Sequence, residues 1–135
     1  MRSVIEQSVV LPAAAERLFE MYLDPAGHEA ITGAPVIIGN TPGAEFRAFG
    51  GALSGTVLAV VAPRLIVQSW RSTQFKPTDA DSTLILDFKD EGKSGRIHLV
   101  HIDVPDHDYK GVNEGWEKYY WTPWRAYLAQ KQKAD

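Results

Sequence analysis

Three histidines and three aspartates crowd into one stretch, as His98, His101, Asp103, Asp106, His107 and Asp108. Side chains of these types at close spacing are what a metal site or a general acid–base pair requires. Strand geometry argues against a metal, because successive side chains on an extended chain alternate between faces. His98 and His101 are three apart and go to opposite sides. His101 shares its face with Asp103, while His107 and Asp108 follow Pro105 into a loop. The spacing therefore predicts no metal site. No nucleophile or oriented acid lies beside His101 in sequence, so no catalytic residue is assigned. His101 does share a face with Ile97 and Leu99, and a buried imidazole needs a partner. Two readings stand: a polar anchor for a bound ligand, or a core histidine bonded to a Tyr hydroxyl or a backbone carbonyl.

The remaining polar motifs carry less. Gly50-Gly51 lacks the spacing and the Lys-Ser/Thr ending of a phosphate loop and reads as a turn. Ser54 and Ser69 have neither a nucleophile-elbow context nor an adjacent base. Asp79, Asp81, Asp87, Asp90 and Glu91 show no paired-carboxylate pattern and read as solvated hairpin ends. The aromatic residues are more telling. Trp116, Tyr120, Trp124 and Tyr127 recur at helical spacing near the end of the chain, so one greasy helix face must be covered. Tyr119 and Trp121 fall off that face. They read as an exposed protein contact or as packing on the first helix or a loop.

The elements that must position these residues follow from the hydrophobic pattern. Residues 3–11 read as a strand ended by Pro12. A short amphipathic helix follows, with Ala14/Ala15, Leu18/Phe19 and Tyr22 on one side. The Gly- and Pro-rich stretch from 24 to 43 reads as irregular or briefly helical, with a short strand at 36–38. Strands are expected at 45–49, 55–62, 65–71, 83–89 and 96–104, and connections so short force an antiparallel sheet. Residues 114–131 form a helix of roughly 18 residues, about 27 Å long, with a kink or one lost backbone bond at Pro123. A long helix with one apolar face covers the apolar face of a sheet. The class is α+β: a curved antiparallel sheet gripping a long C-terminal helix, with a short helix or two after the first strand.

Composition agrees with such a protein. The chain has 135 residues, 44% of them hydrophobic, which fits a single domain over 1–135 with a substantial core. Its 14 Lys and Arg against 17 Asp and Glu give a net charge of −3, which argues against nucleic acid. No apolar run approaches the ~20 residues needed to span a bilayer, and the first residues are too polar for a secretory leader. With no cysteine, disulfides, thiolate nucleophiles and iron–sulfur clusters are excluded. A cytoplasmic protein without a cofactor, monomeric or weakly dimeric, is the expectation.

Several blocks, taken in order, resemble a known family. They are Leu18-Phe19 with Tyr22 and Asp24-Pro25, Thr32-Gly33-Ala34-Pro35, Gly43-Ala44-Glu45-Phe46, and Ser54-Gly55-Thr56-Val57. Pro63-Arg64-Leu65-Ile66-Val67-Gln68-Ser69-Trp70-Arg71, residues 97–105 and Gly115-Trp116-Glu117-Lys118-Tyr119-Tyr120 complete the set. The chain resembles the Hsp-90 ATPase activator homologue family, at that activator's C-terminal domain, within the START-like (SRPBCC) helix-grip superfamily. The family often has a Gly-Gly pair where Gly43-Ala44 stands, and many bacterial members carry Trp at the positions of Tyr22 and Ile31. The activator's separate N-terminal domain, which engages the chaperone, has no counterpart in these residues. The resemblance implies an apolar cavity between sheet and helix and a small hydrophobic ligand. Cavity candidates are Phe46, Trp70, Leu86, Phe88, His101, Trp116, Tyr120 and Trp124. It implies two alternatives: a protein-interaction module working with a chaperone, or a cyclase- or hydrolase-like enzyme centred on His101 and a Tyr such as Tyr120.

Overall fold

A computed structural model describes residues 2–134. Its frame is a seven-stranded sheet in which every neighbouring pair is antiparallel. The strands are β1 (Arg2–Leu11), β2 (Val36–Ile37), β3 (Glu45–Ala48), β4 (Leu53–Val61), β5 (Leu65–Ser72), β6 (Ser82–Glu91) and β7 (Ser94–Pro105). They lie in the order β1-β7-β6-β5-β4-β3-β2. Strands β2 to β7 form a meander, with tight turns at β4–β5 and β6–β7, and β1 closes against β7.

Helices α1 (Ala15–Leu23) and α2 (Pro25–Thr32) carry the chain from one edge of the sheet to the other. Leu18, Phe19 and Tyr22 give α1 its buried stripe. Its start is capped from a distance, because the Ala15 amide donates to the Asp90 carboxylate at the β6–β7 turn, 3.0 Å away. Asp24 caps α2 through the Gly27 amide, Pro25 occupies the first turn, and Gly33 ends it in the left-handed conformation. The Gly- and Pro-rich stretch thus holds a full helix.

Period-two alternation places Ile66, Leu84, Leu86, Phe88, Ile97 and Leu99 on one face, all buried. The register sets Leu86 between Ile66 and Leu99, and Leu84 between Gln68 and His101. Each such side chain contributes about 1.5–3 kcal/mol of apolar burial. Near the end of β7 a bulge breaks the alternation: Val4 alone lies between the pairs Ser3–Val104 and Ile5–His101, opposite both Ile102 and Asp103. Asp103 takes a positive φ of 65°. The bulge turns Asp103 outward and Val104 inward, so the expectation that Asp103 shares a face with His101 is corrected.

The C-terminal helix begins earlier than its aromatic pattern suggests. α3 (Asp106–Trp116) starts directly after Pro105, so His107 and Asp108 are helical and not in a loop. Asp106 and Asp108 in its first turn complement the helix dipole. A π-helical turn, Glu117–Trp121, then leads into α4 (Thr122–Ala134). The Thr122 amide donates to Glu117 O, five residues back, and the wide turn absorbs the missing N–H of Pro123. Because the turn holds an extra residue, Tyr120 and Trp121 both face inward, with Trp116 and Trp124 on either side. Trp121 is therefore core, not surface; its Nε1 donates to Gln7 Oε1 at 2.7 Å. Among the described residues no helix is long and apolar enough to cross a membrane.

A candidate binding cleft under the helix

A cleft of about 400 Å³ lies between the first half of the long helix and the β4–β5 end of the sheet. Its sheet wall is Leu53, Trp70 and Ser72; a turn with Phe49 and Ala52 and the residues Thr73 and Gln74 form its sides. The helix supplies Asp108, Gly111, Val112, Gly115, Trp116, Tyr119 and Tyr120, a stripe at three- and four-residue spacing. Phe49 holds a positive φ of 54° and is followed by Gly50 and Gly51, also positive. That sharp reversal sets the Phe49 ring edge-on to Tyr119 and Tyr120, with centroids 5.6 and 6.5 Å away. On the far side, Arg71 ties down the loop after β5, donating to Lys76 O and Asp79 O at 2.7 Å each. His107 reaches the same loop through Asp79 at 2.9 Å.

Behind the cleft wall runs a chain of bonds through His101. Trp116 Nε1–H donates to His101 Nδ1 at 3.2 Å, which fixes the proton of the imidazole on Nε2. That Nε2–H donates to Ser82 Oγ at 2.8 Å, and Ser82 donates to Trp70 O at 2.7 Å. The Trp70 ring stands edge-on to the imidazole, with centroids 4.7 Å apart. Every polar atom of the ring has a partner, and burial lowers the His101 pKa to about 3. His101 is thus a neutral core histidine that braces Trp70 and Trp116. Its partners are a serine and an indole, not the tyrosine or carbonyl expected.

A second buried network, which the sequence reading passed over, surrounds His28. Its Nδ1 donates to Tyr22 O at 2.7 Å, so its Nε2 accepts from the Tyr120 hydroxyl at 2.8 Å. Tyr22 in turn donates to Gln68 Oε1 at 2.6 Å. Burial lowers His28 to about 4, the bond to Tyr22 O opposing, and burial raises both tyrosines. This network fixes the ring of Tyr120 where it enters the cleft wall. Among the described residues no group of three or more His, Cys, Asp or Glu side chains is placed to hold a metal ion.

Of the cavity candidates, Trp70, Trp116 and Tyr120 line the cleft, and His101 sits one layer behind. Phe46, Leu86, Phe88 and Trp124 are buried in the core away from the cleft wall. Asp108, Gly111, Gly115 and Phe49 were not anticipated as lining residues. Their signal, the 108–111/112–115/116–119/120 spacing, is legible only once the helix is known to begin at Asp106. Two buried polar atoms near the cleft lack partners, Trp70 Nε1 and Asp108 Oδ2.

A curved antiparallel sheet gripping one long helix, with a cleft opening between them, defines a helix-grip domain of the START-like class. Residues 12–129 match the model of the family described as activator of Hsp90 ATPase homolog 1-like protein, and the chain belongs to that family. The human activator of 90 kDa heat shock protein ATPase homolog 1 is 25% identical over 105 residues, covering 78% of this chain and 31% of the human protein. The chain spans about a third of the length of the curated relatives it matches. Among solved structures, MLL2253 from Mesorhizobium loti superposes with a TM-score of 0.82 at 16% identity, over 95% of this chain and 98% of that one. PFC0360w, an HSP90 activator from Plasmodium falciparum, gives 0.77 at 19% identity, over 87% and 89%. At such identities the likeness is one of fold.

Proposed function

We propose that this chain is a non-enzymatic binding domain for a small, mostly apolar molecule held in the cleft. One observation carries the reading: the helix wall has glycines at 111 and 115 that local packing does not require. A Cβ on Gly115 meets only Tyr119 Cδ2 at 3.7 Å, an ordinary contact, and one on Gly111 meets the movable Asp108 carboxylate at 3.4 Å. Glycine inside a helix costs about 1 kcal/mol relative to alanine. The helix is less stable than it need be, and what it gains is an open cleft in the size range of small-molecule sites. His101 and His28, neutral and fully bonded, hold the aromatic walls in place and have no part in chemistry. The domain acts alone or as a weak dimer in the cytoplasm, without nucleic acid and without a cofactor.

The test is Gly115→Leu. It should stabilise the fold by about 0.5–1 kcal/mol through helix propensity while filling the cleft. A neutral aromatic alcohol, 2-(2-naphthyl)ethanol, should shift the indole N–H resonances of Trp70 and Trp116 in the parent and leave them unmoved in the variant. Equal shifts in both proteins place the alcohol elsewhere and sink the reading. A second reading, association with an Hsp90-type chaperone, is favoured by family membership and by the activators among its relatives. It requires that the chain alter ATP turnover of such a chaperone, and a turnover rate indifferent to added chain removes it.

A further inference from the structure

The chemistry of the cleft wall narrows the class of ligand, an argument that rests on the cleft being a binding site. Of the side chains on that wall, Asp108 alone carries a formal charge at neutral pH. Its Oδ2 is buried and has no hydrogen-bond partner. Burial raises its pKa, with the charge of His107 and the Ser72 hydroxyl opposing. Ser72 is thus a donor to the carboxyl group, while Oδ2 itself has none. His107, the adjacent titratable group, is taken up by Asp79 at 2.9 Å. Lys118 lies over the Tyr119 ring, 5.2 Å from its centroid, and is not part of the wall.

The rest of the wall is aromatic: Phe49, Trp70, Trp116, Tyr119 and Tyr120. Trp70 and Trp116 are only 5% and 3% exposed. Aromatic faces carry negative quadrupole density and attract cations, most strongly where water is excluded. An anionic ligand would meet the Asp108 charge, and a plain hydrocarbon would leave that charge without a counter-ion on the wall. We propose that the cleft takes an organic ammonium ion, a compact apolar body whose amine donates to Asp108 while the surrounding rings enclose it.

A matched pair of probes tests this. 2-(2-Naphthyl)ethylamine and 2-(2-naphthyl)ethanol differ only in the charged group, and both are titrated against the indole N–H resonances of Trp70 and Trp116. The amine should bind at least ~10-fold tighter, the size of one charge-assisted hydrogen bond out of water. Asp108→Asn should abolish that preference and leave the alcohol's affinity unchanged, which also reports that the cleft is intact. Should that variant fail to fold, Ser72→Ala with the probe pair at rising salt reads the same charge in a folded protein. Its amine preference should persist and fall less than twofold between 50 and 300 mM salt, as for a sheltered pair. Asp106→Asn is the control: it removes a charge from the same helical turn, where Asp106 accepts from Ser3 Oγ at 2.7 Å outside the cleft, and should keep the full preference. Equal binding of amine and alcohol overturns the ammonium assignment and leaves the cleft standing. A preference that survives Asp108→Asn, or collapses in salt, overturns it too. Silence from both probes overturns the cleft itself.

Discussion

Two histidines and their partners decide how the interior is held. His101 was conspicuous in sequence because its neighbours alternate correctly for a buried face, and it is fully buried. Its role depends on Ser82 and Trp116, which lie 19 and 15 residues away and meet it only through the β6–β7 register and the helix above. His28, by contrast, stood in a stretch that looked irregular and gave no periodic signal. Both are neutral in the fold, with pKa values lowered to about 3 and about 4. A base depressed below its unfolded value of about 6.5 stabilises the fold above that pH, and the stability is lost as pH falls toward the folded value. His101→Phe should cost about 1–3 kcal/mol at pH 7, by leaving the Trp116 N–H without an acceptor. The deficit should shrink by about 2 kcal/mol between pH 7 and pH 5, where only the parent still resists charging that ring. Urea unfolding at the two pH values reads the difference. A deficit that stays constant would mean that His101 is not held neutral.

At the scale of elements, the helix shows how local irregularity builds the site. A regular helix from Trp116 places Tyr120 and Trp124 inward and Trp121 to the side. The π turn at Glu117–Trp121 brings Trp121 round as well, so Trp116, Trp121 and Trp124 stack in sequence with centroids 5.7 and 6.3 Å apart. Trp121 is then anchored to β1 through Gln7, whose amide nitrogen also bonds the Asn113 carbonyl and side chain. Trp121→Phe should lose about 1–3 kcal/mol through that bond and the space the smaller ring leaves, with helix content unchanged by circular dichroism. A loss near zero would show that Trp121 does not anchor the helix to β1. The sheet was legible because alternation and short turns are written into neighbouring residues. The helix start was not, since His107-Asp108-Tyr109-Lys110 carries no apolar stripe and α3 is held instead by its acidic first turn and by β1. The cleft was legible in part: Trp70, Trp116 and Tyr120 were expected on a cavity between sheet and helix and line it, whereas Gly111 and Gly115 escaped, because they open the wall by what is missing and apolar patterns record what is present.

Across the whole molecule, polar networks tie the short helices, the sheet and the long helix together around one weakly filled region. Tyr22 and His28 from the short helices, Gln68 from the sheet and Tyr120 from the long helix form one network. Trp70, Ser82 and His101 from the sheet and Trp116 from the helix form the other. The two meet at the wall shared by Trp116 and Tyr120, whose rings lie 4.8 Å apart, and there the cleft opens. A cleft left open here, with the Asp108 carboxylate on its wall, is arranged for an occupant. The direct measurement is native mass spectrometry of the protein purified from its own host, with denaturing extraction and accurate mass of anything released. The account predicts a reproducible adduct of a few hundred daltons containing a basic nitrogen, absent from Gly115→Leu prepared in the same way. A clean apo mass for the parent, or an adduct retained equally by the filled variant, would contradict it.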